Sequence, residues 1–205
     1  MARYKDEHKA EARAGIVQRA AERFRQDGIA AVGVRPLMAD AGLTHGAFYA
    51  HFGSRGELVA EAAEYAANST IAYLKAAVAS AAPGHEMDAL VKNYLRPRHR
   101  EMMALGCAAS ALAPEIARED DATRTRFANR NREIVQLVAD CLPPGGDATE
   151  RLARGYAIFA GMMGTLQLMR VATDPAEVAM LLAAGREAAL ALAARPFSPP
   201  AAPAG

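Results

Sequence analysis

A chain of 205 residues, 52% of them hydrophobic, is long enough for one core of ordinary size and a smaller second domain. Alanine dominates, tryptophan is absent and β-branched runs are few, a composition that argues for an all-α fold. No apolar run reaches the roughly 18 residues of a membrane span, and the opening Met1 to Glu7 has no apolar signal core, so a cytoplasmic protein without membrane contact is expected. The two cysteines, Cys107 and Cys141, lie 34 residues apart without a C-x-x-C spacing, which suggests neither zinc nor a disulfide framework. No metal and no cofactor are expected. The net charge of +1 hides an asymmetry. Residues 1–55 carry nine Lys and Arg against six Asp and Glu, with three of the five histidines, whereas the remainder carries fifteen against seventeen. A positive amino-terminal end favours a polyanionic partner.

In chain order, residues 1–6 read as a mobile arm whose Arg3 and Lys5 can follow phosphates or a minor groove. From Glu7 to Gln26 a helix is expected, with Ile16, Val17, Ala20, Ala21 and Phe24 on one stripe and Gly28 as its stop. Val34, Leu37, Met38 and Ala41 recur at i, i+3, i+4 and i+7, the face of a second, short helix. Gly42 stops it, Leu43 tucks under the turn, and Thr44 is placed to cap a third helix over 44–51 with its hydroxyl. That helix turns Ala47, Phe48 and Phe52 inward and leaves Thr44, His45, Gly46, Tyr49 and His51 outward. Two short helices joined by a glycine turn, the second too polar to be core, form the plan of a helix-turn-helix, whose second helix enters the DNA major groove.

Ser54 and Glu57 form a capping box that starts a long helix to about Ala79. Further helices are expected at 86–103, 107–118, 121–142, 149–172 and 176–194, separated by Gly106, Asp120-Asp121, the Pro143-Pro144-Gly145-Gly146 run and Asp174-Pro175. The organisation expected is a helix-turn-helix domain over 1–54, a larger helical domain over 55–195, and a disordered Pro- and Ala-rich tail over 196–205.

The run from Val34 to Leu58, with its Gly42-Leu43-Thr44 turn and its Phe48-Tyr49-Ala50-His51-Phe52 close, resembles the DNA-binding signature of the TetR family of one-component transcriptional regulators. It departs from that signature at Val32 and Gly33, where the family usually has Thr or Ser. The resemblance implies a palindromic DNA operator read by a homodimer through Arg35, Thr44, His45, Gly46, Tyr49, His51 and Arg55, with Tyr49 and His51 on phosphates. It implies dimerisation through the last two helices, where Tyr156, Phe159, Met163, Val178, Leu181, Leu182, Gly185 and Ala189 lie on apolar stripes and Gly161 and Gly164 permit close approach. It also implies a cavity for a small apolar effector, with Met102, Met103, Leu105, Cys107, Leu112, Phe127, Ile134, Met162, Met163 and Leu166 as lining.

Leu105-Gly106-Cys107-Ala108-Ala109 also resembles a segment of regulators related to the N-ethylmaleimide-reductase repressor. There a cysteine senses electrophiles or oxidants. Cys107 opens a helix, and Arg96, Arg98, His99 and Arg100 lie shortly upstream, two effects that lower a thiol pKa. A ligand-released repressor and not an enzyme is expected. The rival, a helical thiol-dependent enzyme using Cys107, is disfavoured because no paired carboxylates, nucleotide loop or H-E-x-x-H spacing accompanies the cysteine.

Overall fold

The computed structural model describes residues 2–197, and side chains from Glu7 onward. Within them every regular element is helical: α1 (Ala2–Asp27), α2 (Val34–Asp40), a 3-10 helix (His45–Ala50), α3 (Arg55–Ala79), α4 (Glu86–Tyr94), α5 (Pro97–Glu101), a 3-10 turn (Met103–Leu105), α6 (Ala108–Ile116), α7 (Asp121–Asp140), α8 (Ala148–Val171) and α9 (Pro175–Ala194). The chain divides into two compact units, one of residues 1–70 with 102–131, the other of 71–101 with 132–205. Two of the three divisions fall inside α3 and α7 and the third just after α5, so the unit holding the helix-turn-helix extends well beyond residue 54.

Local chemistry explains most element boundaries. Asp147 accepts the Glu150 amide at 2.8 Å to start α8, and Asp174 accepts the Ala176 amide at 2.9 Å with Pro175 in the first turn of α9. Asp120 likewise accepts the Thr123 amide, which lowers its pKa. Three expectations need correction. The arm over residues 2–6 is helical and belongs to α1. The helix expected over 86–103 breaks at Leu95, because Pro97 cannot continue the α4 hydrogen-bond ladder and disfavours helical geometry at Arg96. In the expected tail, Phe197 is seated, with the Arg154 guanidinium 3.7 Å from its ring centroid; residues 198–205 lie outside the described part.

In the first unit the core is the α1 stripe, with Ile16, Ala20 and Ala21 fully buried, packed with Leu37, Met38, Phe48, Phe52, Leu58, Ala62 and, from α6, Leu112 and Ile116. In the second unit Tyr94 is 1% exposed and meets His99 (4.9 Å) and Phe159 (5.9 Å) edge-on. Arg100 donates to the Ala172 carbonyl at 2.8 Å and to Met169, satisfying the free carbonyls at the end of α8. Helices α8 and α9 approach closely at Gly185, where a Cβ would lie 2.9 Å from that of Thr165.

Candidate nucleic-acid interface

The turn between α2 and the 3-10 helix is built by Gly42, whose φ of +72° only glycine adopts without strain. Its amide donates to the Ala39 carbonyl and the Leu43 amide to that of Met38, both at 2.9 Å, which is a Schellman motif. Gly33, at the start of α2, has extended backbone and no side chain to cap with, the consequence of the missing Thr or Ser. Thr44 occupies the cap position of the next element, but its side chain makes no capping bond, contrary to expectation, and is exposed. That element is 3-10 and not α: Ala47 donates to Thr44 and His51 to Phe48, each three residues back. Burial of Phe48 and Phe52, stacked at 5.4 Å, holds this short segment in place.

The opposite face is polar and open. Arg35, Thr44, His45 and Gly46 are exposed, and Tyr49 is 70% exposed with its ring edge-on to Phe48. His51 is half-buried and its Nδ1 has no hydrogen-bond partner; burial, then Lys9 and Arg13, lower its pKa, so the ring is neutral at neutral pH. Arg55 is turned back, its guanidinium donating to the Ile29 carbonyl and, at 3.5 Å, to that of Val32. It therefore fixes the α1–α2 connection.

Residues that sequence reasoning missed do the positioning. Arg13 donates to the His51 carbonyl (3.1 Å), to Glu57 (2.9 Å) and to Glu61, and its guanidinium lies 4.6 Å from the Phe52 centroid. One side chain thus ties the reading segment to both α1 and α3. Its carboxylate partners lie 44 and 48 residues away, so no local pattern announces them. The capping box is bent to this end: Ser54 accepts the Glu57 amide at 3.1 Å as expected, but Glu57 reaches back to Gly53 (2.7 Å) as well as to Arg13. Arg23 bridges Asp27 and Asp40, joining α1 to α2. Glu115 of α6 accepts the amides of Ile29 (3.0 Å) and Ala30 (2.8 Å).

Cys107 is buried, 1% exposed. A buried arginine that the sequence did not single out, Arg25, donates to the neighbouring Gly106 carbonyl at 3.2 Å, and burial lowers its pKa. Of the expected effector lining, Met102, Met103, Leu105, Cys107, Leu112 and Phe127 belong to the first unit, Ile134, Met162, Met163 and Leu166 to the second. Of the expected dimer residues, Tyr156 is exposed; Met163, Val178, Leu181, Leu182 and Gly185 are half-buried, and Phe159 and Ala189 are buried. The open face of α8 is Ala153, Tyr156, Ala157, Ala160, Gly161, Gly164, Leu168 and Val171, without one charge.

A rigidly held short helix offering Thr, His, Gly and Tyr outward after a glycine turn defines a helix-turn-helix DNA-binding domain. Residues 16–62 match the family model described as bacterial regulatory proteins, tetR family, so the amino-terminal domain is that of the TetR family. No curated protein matches the chain. Among solved structures, it is similar to a TetR transcriptional regulator from Chloroflexus aurantiacus, at 24% identity and a TM-score of 0.71 over 91% of this chain and 94% of that one. It is similar to a TetR-family regulator from Cytophaga hutchinsonii (16%, TM-score 0.74, 92% and 98%) and to the reduced form of Escherichia coli NemR (16%, 0.70, 86% and 96%). The chain has the fold of these regulators. Among the described residues no helix is long and apolar enough to cross a membrane.

Proposed function

We propose that this chain is a dimeric transcriptional repressor in the cytoplasm that binds a palindromic operator and is released by a small effector. The observation that carries the DNA reading is the 70% exposure of Tyr49 on a segment whose other face is locked by Phe48, Phe52 and Arg13. Arg35, Thr44 and His45 would read base edges, Gly46 would let the backbone approach, and Tyr49 with neutral His51 would donate to phosphates. Pairing through the uncharged open face of α8, together with Met180 and the alanines of α9, supports the dimer, since one reading segment covers too few base pairs. An effector in the larger domain acts by favouring one setting of α3, the uninterrupted helix shared by both units. DNA requires half-sites near one helical turn apart, so a small change in spacing costs contacts. We prefer a regulator to a thiol enzyme because Cys107 is closed to substrate.

Fluorescence anisotropy on DNA from the promoter region beside the gene tests this. Tyr49→Phe removes one phosphate hydrogen bond, about 1 kcal/mol, and weakens binding roughly fivefold on every sequence. Wild-type affinity in Tyr49→Ala would rule the assignment out.

A further inference from the structure

The second unit contains an open cavity of about 770 Å³ that the DNA reading does not use. Its floor is apolar, made by Val78 of α3, Met87 of α4, Leu137 of α7, Leu142 beyond it and Leu190 of α9. Its wall carries three carboxylates, Glu86 and Asp88 from the first turn of α4 and Asp140 from the last residue of α7. The first two suit a helix start. Asp140 does not: a carboxylate at a helix C-terminus is disfavoured by the helix dipole, so helix stability does not explain it.

The charges nearby leave the cavity negative. Asp88 pairs with exposed Lys92 at 3.5 Å, Asp140 accepts from Gln136 and Glu86 from the Gly84 amide. The Arg151 guanidinium donates to the carbonyls of Ala139, Leu142, Pro143 and Gly145 and keeps its charge, so that it and Lys92 still leave the three carboxylates in excess. Cys141, half-buried in the lining, reports the field: burial, then Asp140 and Glu86, push its thiol up to about 11. It stays protonated and is no nucleophile at neutral pH. The carboxylates are not gathered as a metal ion requires; no group of three or more His, Cys, Asp or Glu among the described residues is.

We propose that this cavity binds a hydrophobic organic cation, with its apolar body on the Met87–Leu142–Leu190 floor and its charge beside Glu86 and Asp140. The volume is that of small-molecule sites. A neutral ligand would gain nothing from the carboxylates, of which Asp140 is exposed and Glu86 half-buried, and an anion would be repelled. The proposal stands apart from the DNA reading, since binding is measured on the free protein.

The test is calorimetric titration of the full chain with methyltriphenylphosphonium, against triphenylphosphine oxide as an uncharged body of similar shape. The cation should saturate at one per chain and bind more tightly than the oxide. Glu86→Gln with Asp140→Asn should weaken the cation about tenfold or more while leaving the oxide unchanged. The comparison of cation with oxide is made on the wild-type chain and needs no variant to fold. No saturable binding, or an oxide as tight as the cation, would each overturn the proposal. So would unchanged affinity in the double variant.

Discussion

Replacing Arg13 by alanine removes the one side chain that joins the DNA-reading segment to α1 and α3. Its side chain is 32% exposed, against 40% for Glu57 and 22% for Glu61. An exposed ion pair contributes up to about 1 kcal/mol and loss of one partner of a buried pair costs about 3 to 5, so this half-exposed pairing falls near 2 kcal/mol. The hydrogen bond to the His51 carbonyl adds about 1 kcal/mol. A total loss of about 2 to 3 kcal/mol corresponds, for a chain of this size, to a midpoint lower by roughly 5 to 10 °C. Glu57 and Glu61 are left facing each other, so added salt should recover part of the loss. Arg13→Lys should recover little, because a point charge cannot bond two carboxylates and a carbonyl together. Thermal melting by circular dichroism, with anisotropy on operator DNA, reads both consequences, since a loosened His51–Phe52 end should weaken binding as well. A melting midpoint within about 1 °C of wild type, with unchanged DNA affinity, would refute the positioning role.

Other outcomes follow from single features. Gly185→Ala should cost about 1 to 3 kcal/mol in chemical denaturation, because the new methyl falls on the Thr165 side chain. Gly161→Ala, where nothing lies within 4 Å inside the protomer, should leave monomer stability nearly unchanged but weaken dimerisation. Leu168→Arg and Met180→Glu, at positions 58% and 62% exposed, should give folded monomers by light scattering; folded dimers from both would move the interface off this face. His99 donates from Nδ1 to the Tyr94 carbonyl at 2.6 Å, since a carbonyl oxygen only accepts. Burial, against that hydrogen bond, lowers its pKa below 6.5, and His51 is lowered too. Below pH 6.5 the unfolded chain then binds protons that the folded one refuses, so stability is complete above that pH and falls as pH drops beneath it. His99→Gln should flatten this decline in melting midpoint between pH 7 and 5.

The helix-turn-helix was legible because its signals are local. Gly42 is needed where φ is positive, Ser54 caps the residues just after it, and the stripe from Ile16 to Phe24 repeats within one helix. Such effects act within a few residues, and alternation of apolar and polar positions also marked Tyr49 as outward. Local signals misled where a partner distant in sequence decides. Thr44 suits a cap, yet its side chain makes no capping bond, and the segment it opens is a 3-10 helix held by Phe48, Phe52 and Arg13. Arg55 donates to the Ile29 carbonyl and Phe159 meets Tyr94 edge-on, contacts with partners distant in sequence that no local pattern announces. Cys107 has the flanking pattern of a reactive thiol, but reactivity also needs solvent, and packing withholds it. The cavity beside Cys141 draws on residues from Val78 to Leu190, and its negative field sums carboxylates from two helices. Periodicity reports which face of a helix is apolar; what covers that face, and which charges meet there, depends on chain closure over tens of residues, which no local pattern encodes.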